Sequence, residues 1–356
     1  MSAQAVAPHP RPVHELDFVP LAGLVAGTFS GAPLVPEPMP GGASMRRYFR
    51  IRLPGPPGTA VAMFVPDGAK PEEVAKDGGA RNARWPFLEV RDLLADRGVD
   101  VPRVYGEAMA HGWLLLEDLG DDTLANFLAS HPSSREELYV RAVSDLARAQ
   151  SSLAALPEGS IVASRAFDEE LLGWEIHHFR EWALEARGVT LSASDRLAFD
   201  GIAERLARRI AGWQRAFVHR DYQSRNLMVR GDGRLSWIDF QDALLGPRVY
   251  DLVALLTDSY QVFDRSFVDA RLDDYARTRS LDAAERQALG REFDMVAVQR
   301  KLKDAGRFVF IDRVKQNPSF LKFVEPTVDK VRASLSRLQD DEDMRTLAAL
   351  LLRVLP

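Results

Sequence analysis

The chain has 356 residues, of which 46% are hydrophobic and 27% charged, as is typical of a soluble globular protein with room for two domains. Its 46 basic and 51 acidic residues give a net charge of −5, which offers no electrostatic reason to expect nucleic acid or an anionic membrane as a partner. The absence of cysteine excludes disulfides, thiolate metal sites and cysteine nucleophiles. The sequence shows neither a signal-peptide pattern nor an apolar run of membrane-spanning length, so we expect a cytoplasmic protein.

The first part of the chain has the pattern of a strand-rich domain. Residues 1–15 are rich in proline and alanine and are expected to be disordered. The stretches that predict a strand, a turn and a second strand are MRRYFRIRL (45–53), GPPG (55–58) and TAVAMFVP (59–66). A helix is predicted from about Pro86 to Arg97, and HGWLLLEDLG (111–120) predicts a buried strand that runs into a polar link.

Downstream of Asp121 the pattern changes from strands to helices. Apolar residues recur at helical spacing in TLANFLAS, SREELYVRAVSDLARAQSSLAAL, DEELLGWEIHHFREWALEA and ASDRLAFDGIAERLARRIAGWQ. More helices are predicted from Tyr250 to the end of the sequence. Residues 217–242 lie between these helices and have a different pattern, which carries most of the functional information.

The segment FVHRDYQSRNLMVRGDGRLSWIDFQD, residues 217–242, has the pattern of a β-hairpin. Asp232 and Gly233 tolerate the positive φ that a two-residue turn requires, and apolar residues lie on both sides of them. If these two residues form the loop, Asn226 lies directly opposite Asp239 and the two side chains share one face. An amide oxygen beside a carboxylate suits a hard cation such as Mg²⁺, which prefers oxygen ligands.

The same segment contains the spacing HxDxxxxN, formed by His219, Asp221 and Asn226, and an apolar run that ends at Asp239. Phosphoryl transfer requires a carboxylate that orients and deprotonates the attacking hydroxyl, and metal ions that neutralise phosphate oxygens. Asp221 can supply the first function, and Asn226 with Asp239 the second. An isolated HxD or an Asp-Gly turn is common in structural roles, but the joint order and spacing favour the catalytic interpretation.

These residues resemble the catalytic loop and the metal-binding aspartate of the protein-kinase-like superfamily. Phe240, Gln241 and Asp242 depart from the DFG of protein kinases and resemble the aminoglycoside phosphotransferase family of small-molecule kinases. Further stretches resemble one branch of that family, the bacterial anomeric kinases for N-acetylmuramate and N-acetylglucosamine. They are RRYFR, LLLEDLGDDTL, HRDYQSRNLM, WIDFQDALLGPRVYDLVALL and QRKLKDAGRF.

The resemblance implies an α+β, protein-kinase-like bilobal fold and an ATP- and Mg²⁺-dependent kinase. Asp221 would be the base, and Asn226 and Asp239 would hold Mg²⁺. The acceptor would be the anomeric hydroxyl of N-acetylmuramate or N-acetylglucosamine, and the α-1-phosphate would feed cell-wall precursor recycling. The implied boundaries are residues 1–115 for a small β-rich N-lobe, 116–120 for a hinge, and 121–356 for a helical C-lobe with the catalytic loop and acceptor site.

The stretch GGASMRRYFR, residues 41–50, stands where a kinase places its phosphate-covering loop. Glycine permits a close approach of the backbone to phosphate, although a pair of glycines also fits an ordinary turn. The predicted phosphate contacts are the amides of Gly42, Ala43 and Ser44. In the hinge, backbone groups from Glu117 to Leu119 would hold the adenine edge, with the Glu117 side chain exposed or paired locally.

A lysine is expected on the third strand to hold the α- and β-phosphates, but Met63 stands at that position. An arginine fork can also bind phosphate, and the candidates that follow the glycines are Arg46, Arg47 and Arg50. A solvated strand face is the alternative for these arginines.

Acceptor contacts are predicted on a C-lobe helix. In LLGWEIHHFREWALE, helical spacing places Leu172, Ile176, Phe179 and Ala183 on a core face. A second face consists of Trp174, His178, Glu181 and Glu185. An aromatic face with carboxylates can bind a sugar ring, but an amphipathic helix also shows such a face when it is merely solvated.

Other acceptor candidates lie within and beside the catalytic loop: Tyr222, Arg225, Gln241 and Asp242. Among them Arg225 is the best candidate for stabilising charge that develops during transfer, with a surface ion pair as the alternative. Asp251 is predicted to be a helix N-cap or a strut for the loop rather than a ligand.

Two other functions are compatible with the sequence. An aminoglycoside or amino-alcohol kinase would use the same chemistry but needs an acidic acceptor pocket, whereas the carboxylate of N-acetylmuramate needs an arginine or lysine. A nucleotide-binding pseudokinase would explain the missing strand lysine. The sequence gives no indication of the oligomeric state.

Overall fold

The computed structural model describes residues 16–40, 45–66, 84–259 and 261–355. The expectation of disorder for residues 1–15 and the phosphate contacts predicted for Gly42, Ala43 and Ser44 lie outside these residues. The chain divides into two compact units. Unit 1 comprises Met1–Val74 and Pro102–Gly120, and unit 2 comprises Ala75–Val101 and Asp121–Pro356.

Unit 1 contains a five-stranded antiparallel sheet of order β1-β2-β3-β5-β4. Its elements are α1 (Val19–Thr28), β1 (Pro36–Pro38), β2 (Arg47–Arg52), β3 (Thr59–Phe64), β4 (Val104–Ala108) and β5 (Trp113–Glu117). Because side chains alternate along a strand, one face of the sheet presents Phe49, Ala62 and Trp113, and this face buries Leu21 and Val25 of α1. The predicted pair of strands on either side of GPPG is therefore confirmed.

Unit 2 is mainly helical, which together with the sheet of unit 1 confirms the predicted α+β class. Its helices are α2 (Pro86–Asp96), α3 (Leu124–Ser130), α4 (Arg135–Ser152), α5 (Glu169–His178), α6 (Ala193–Ala211), α7 (Tyr250–Leu256), α8 (Arg265–Thr278), α9 (Ala283–Lys315), α10 (Val324–Arg337) and α11 (Glu342–Val354). Two short antiparallel pairs complete it: β6 (Arg215–Val218) with β9 (Leu244–Pro247), and β7 (Leu227–Val229) with β8 (Leu235–Trp237).

The segment Ala75–Val101, which carries α2, clusters with unit 2, although it falls within the range 1–115 that the sequence assigns to the N-lobe. Phe87 of α2 stacks on Phe240 at 5.1 Å between ring centroids. Across the described residues, none of the helices is both long enough and apolar enough to cross a membrane.

Helix α9 is the central helix of unit 2 and packs against α5, α7, α8 and α10. After α5 the chain continues as a π-helix from Phe179 to Leu184, and α9 passes this point at Gly306. A Cβ atom on Gly306 would lie 2.6 Å from the carbonyl oxygen of His178 and 2.9 Å from the backbone nitrogen of Phe179. The absence of a side chain at Gly306 therefore permits the two backbones to approach this closely.

We expect Gly306→Ala to lower the free energy of unfolding by about 1–3 kcal/mol, because the added Cβ would meet backbone atoms that cannot rotate away. Thermal unfolding followed by circular dichroism would measure the change. Gly290→Ala is the matched control in the same helix, since its added Cβ would have no neighbouring atom within 4 Å. The control should be neutral or more stable by up to about 1 kcal/mol. Equal stability of the two variants would contradict the close crossing.

Candidate active site

Asp221 lies in the loop between β6 and β7 with 42% of its side chain exposed. Behind it, the buried guanidinium of Arg300 donates from Nη1 to the carbonyl oxygen of Arg220 (2.9 Å) and places Nη2 3.4 Å from Asp221 Oδ1. Burial opposes ionisation, but the charges of Arg300 and Lys303 outweigh it and hold the pKa of Asp221 below its usual value. An ionised carboxylate with one open side can accept a proton from a hydroxyl.

Asp251 supports this loop from α7. Its two carboxylate oxygens accept hydrogen bonds from the backbone N–H groups of His219 (2.6 Å) and Arg220 (3.0 Å). Burial raises the pKa of Asp251 to about 7, with the two hydrogen bonds acting in the opposite direction. The N-cap of α7 is Val249, so of the two roles predicted for Asp251 the strut is confirmed and the N-cap is wrong.

His219 connects the catalytic loop to the end of β8. Its Nε2 lies 3.1 Å from the carbonyl oxygen of Ile238, and the backbone N–H of Asp221 donates to its Nδ1 at 3.3 Å. These contacts fit a neutral ring with its proton on Nε2. Burial also favours the neutral ring, because it lowers the pKa of His219. The imidazole therefore has a positioning role.

The hairpin has a different turn from the predicted one. The backbone N–H of Arg230 donates to the carbonyl oxygen of Arg234 (2.9 Å), which leaves three residues in the loop, and Gly233 is left-handed with φ 79°. A three-residue loop with a left-handed third residue is a common hairpin connection. The prediction of a two-residue loop at Asp232 and Gly233 is therefore wrong.

The longer loop shifts the pairing by one residue, so Asn226 lies opposite Ile238 and the predicted direct opposition of Asn226 and Asp239 is wrong. Asp239 has a left-handed φ of 63°, so it leaves the extended course of β8. The Nδ2 of Asn226 donates to the carbonyl oxygen of Asp221 (2.8 Å), which leaves Oδ1 as its candidate ligand atom. An amide oxygen and a carboxylate fit Mg²⁺ in chemical type.

Five non-glycine residues in the described part of the chain have positive φ. Ser30, Ser280 and Gln316 lie one or two residues beyond the ends of helices, where this conformation is common. The other two are Arg220 (φ 81°) and Asp239 (φ 63°), both in the predicted site. Such strain persists only where surrounding contacts hold it, and it concentrates at functional sites.

Tyr222, predicted to contact the acceptor, is fully buried. Its hydroxyl donates to the carbonyl oxygen of Ala142 (2.9 Å), and its ring lies against Trp237 at 4.7 Å between centroids. No part of Tyr222 faces solvent, so it supports the loop rather than an acceptor. Arg225, by contrast, is exposed on the same loop.

Gln241 is also buried, with 6% of its surface exposed. Its Nε2 donates to Asp239 Oδ1 and to Asp242 Oδ2, each at 3.0 Å. Gln241 therefore holds two carboxylates together, which is a positioning role rather than the predicted acceptor contact. Asp242 itself is half-buried.

The predicted core face of the α5 region is confirmed, since Leu172, Ile176, Phe179 and Ala183 are buried. On the second face Trp174 is 42% exposed and Glu181 is exposed, but His178 is only 4% exposed. The ring of His178 is covered by Phe310 (centroids 5.5 Å apart) and by Trp182 (6.0 Å). Of the two aromatic residues predicted on this face, Trp174 is therefore exposed and His178 is buried.

In unit 1, Met63 is fully buried on β3 and pairs with Tyr48 of β2. Because side chains alternate along a strand, Arg50 belongs to the face that carries Met63, whereas Arg46 directly precedes β2. Arg47 belongs to the opposite face, which packs on α1. Strand parity therefore favours Arg50 over Arg47 as a replacement for the missing lysine and does not decide the case of Arg46.

Arg50 forms a two-pronged ion pair with Asp118, with Nε–Oδ2 and Nη2–Oδ1 distances of 2.7 and 3.1 Å. Burial opposes ionisation of Asp118, but the hydrogen bonds from Arg50, the Gly120 backbone and Thr59, together with the charge of Arg50, lower its pKa. Glu117 accepts from the backbone N–H of Arg103 through Oε2 (3.1 Å), which confirms the expected local pairing. Leu119 is half-buried beyond the strand.

Sequence reasoning did not identify Arg300 of α9, which contacts Asp221, or the buried polar side chains beside it. Gln299, Arg300, Lys301 and Lys303 are all buried. Gln299 donates to Glu175 Oε2 (2.8 Å), and Lys301 contacts Asp304 Oδ2 (2.8 Å). The stretch QRKLKDAGRF contains these residues, but in the sequence it indicated only the family resemblance.

Comparisons with known proteins identify the family of this chain. The sequence model of the phosphotransferase enzyme family matches residues 36–289. The N-acetylmuramate/N-acetylglucosamine kinase of Pseudomonas aeruginosa is 33% identical over 286 residues, which are 78% of this chain and 77% of that protein. The enzyme of the same name from Neisseria meningitidis is 29% identical over 326 residues, or 85% and 90% of the two chains. The predicted family resemblance is confirmed.

Solved structures show the same fold at low sequence identity. Choline kinase LicA from Streptococcus pneumoniae matches with a TM-score of 0.57 and 16% identity, covering 90% of this chain and 98% of its own. The streptomycin–ATP complex of APH(2")-IIa matches with a TM-score of 0.57 and 14% identity, covering 87% and 96%. These matches confirm the predicted kinase-like fold.

We expect Asp251→Asn to lower the free energy of unfolding by about 1–3 kcal/mol, because asparagine accepts at one oxygen and directs an N–H group at the second backbone donor. Hydrogen exchange should accelerate at the amides of His219 and Arg220. Asp329→Asn, at a 68% exposed side chain of α10, is the control and should change stability by less than about 0.5 kcal/mol. Unchanged exchange in the Asp251 variant would contradict the strut.

Proposed function

Since the chain belongs to the phosphotransferase enzyme family, we propose that it transfers the γ-phosphoryl group of ATP to the anomeric hydroxyl of N-acetylmuramate or N-acetylglucosamine. The main support is the pairing of an ionised, half-exposed Asp221 with the buried Arg300, beside relatives that are named for these sugars. The product is a sugar α-1-phosphate, which would feed the recycling of cell-wall precursors.

Asp221 acts as the base. One side of its carboxylate is held against Arg300 and the other is exposed, so an acceptor hydroxyl can donate to the exposed side. Its lowered pKa keeps it ionised at neutral pH, and the proton moves to it as the hydroxyl oxygen attacks the γ-phosphorus. Arg225 is exposed on the same loop and stabilises negative charge on the transferred group.

Asn226 and Asp239 would hold Mg²⁺, which would neutralise charge on the phosphate oxygens. Asn226 Nδ2 is fixed on the carbonyl oxygen of Asp221, and Asp239 is fixed by Gln241. Both candidate ligands are thereby oriented by neighbours before any cation binds. In unit 1, Arg46 or Arg50 takes the place of the missing strand lysine toward the nucleotide phosphates, and Arg50 also pairs with Asp118.

We expect Asp221→Asn to lower kcat by about 10²- to 10⁴-fold, because the amide cannot accept the proton. The assay is ADP release with Mg-ATP and a panel of N-acetylmuramate, N-acetylglucosamine, glucose, choline and kanamycin, with phosphorus NMR of the product. The matched control is Asp232→Asn in the exposed hairpin loop, which should retain full turnover.

A sugar 1-phosphate from the N-acetylated sugars supports the proposal. Turnover of choline or kanamycin alone would replace it with an amino-alcohol kinase, and ATP binding without turnover on the whole panel would favour a pseudokinase. Undiminished kcat in the Asp221 variant would remove that residue as the base.

A further inference from the structure

A row of charged side chains runs along α9 away from Asp221. Arg300 contacts the Asp221 carboxylate, and Arg307 lies seven residues farther along the helix. An α-helix has 3.6 residues per turn and rises 1.5 Å per residue, so Arg307 is on the same side about 10 Å beyond Arg300. Between them Lys303 is buried and 3.4 Å from Asp304, so this side of the helix carries three cations and one carboxylate.

A series of aromatic contacts begins at Arg307. Its guanidinium carbon lies 4.9 Å from the ring centroid of Phe310. Phe310 contacts Trp182 edge to face at 5.0 Å and His178 at 5.5 Å, and His178 lies 5.3 Å from Trp174. We call Trp174, Trp182 and Phe310 the aromatic wall; the buried His178 contacts all three of them. Trp174 is the most exposed aromatic side chain among the large hydrophobic residues of the described chain.

The backbone geometry at Gly306 places the wall beside Arg307. Gly306 precedes Arg307 directly, and its contact with the backbone of His178 and Phe179 brings α9 against the end of α5. The π-helix that begins at Phe179 carries Trp182. Short π-helical segments of this kind occur frequently at functional sites.

We infer that Arg307 and the aromatic wall form the acceptor subsite, and that Arg307 binds the acid group of an acidic N-acetylated sugar. This inference rests on the proposed function. An arginine is charged at any physiological pH, and its planar fork matches a carboxylate with two parallel hydrogen bonds. Aromatic side chains supply the apolar lining that small-molecule sites need, with a few polar groups that fix orientation.

The spacing agrees with this assignment. The hydroxyl to be phosphorylated must reach Asp221, and the distance of about 10 Å along α9 leaves room for one sugar ring and its acidic substituent before Arg307. N-acetylmuramate carries such a carboxylate and N-acetylglucosamine does not. Arg307 is therefore a specificity-determining residue that favours the acid over the neutral sugar and disfavours cationic acceptors.

The experiment compares kcat/KM of wild type and Arg307→Gln on N-acetylmuramate, its methyl ester and N-acetylglucosamine. We expect the variant to lose about 10- to 100-fold more on N-acetylmuramate than on N-acetylglucosamine, mainly through KM. Wild type should prefer the acid to its neutral ester, and the variant should not. Arg313→Gln, which removes a 58% exposed arginine from the same helix, is the control and should keep the preference.

Equal losses on the two sugars, or a wild-type enzyme that does not distinguish acid from ester, would overturn the role of Arg307 while leaving the proposed function in place. The ester comparison needs only wild-type protein, so it decides the question even if Arg307→Gln is unstable. A wild-type enzyme that is inactive on both N-acetylated sugars would overturn the proposed function and this inference together.

Discussion

The contact between Arg300 and the catalytic loop is the interaction on which the site depends. A buried guanidinium is costly unless its charge and its N–H groups are satisfied. Arg300 meets most of this requirement with the carbonyl oxygen of Arg220, the carboxylate of Asp221 and the ring of Tyr250, whose centroid lies 4.7 Å from the guanidinium carbon. Its Nε has no hydrogen-bond partner among the described residues. Because these partners belong to the loop and to α7, the same contact that satisfies Arg300 also fixes Asp221 and keeps it ionised.

The loop is held from two sides, and this explains its strained backbone. Asp251 binds the N–H groups of His219 and Arg220, while Arg300 binds the carbonyl oxygen of Arg220. Both ends of the Arg220 residue are therefore anchored, and a left-handed φ of 81° can persist there. The neutral His219 extends the support to Ile238, next to the second left-handed residue, Asp239. The loop that carries the candidate base Asp221 and the residue next to the candidate metal ligand Asp239 are thus held by connected hydrogen bonds.

Local sequence predicted the order of the chemical groups but not their geometry. The HxDxxxxN spacing identified Asp221 and Asn226, whereas the hairpin register was missed because Asp-Gly fits both a two-residue turn and the end of a three-residue loop. The strand pairing of Leu227 with Trp237 is what distinguishes the three-residue loop from the two-residue turn. The role of Arg300 was missed because a charged helical stretch usually faces solvent. Its partners are about 80 positions away in sequence, and no local pattern records such a contact.

The acceptor is determined by side chains rather than by the fold. A choline kinase matches this chain over 90% of its length, yet choline is a cation and N-acetylmuramate is an acid. The same arrangement of helices can bind either kind of acceptor, because the charge along the face of α9 depends on which side chains that face carries. Here the cations of that face are Arg300, Lys303 and Arg307, and the carboxylates that act on them include Asp221, Asp304 and Glu175. Arg300 and Lys303 are buried, and they contact Asp221 and Asp304. Arg307 is half-buried over the ring of Phe310, so it is the cation of this face whose replacement would test the preference for an acidic acceptor.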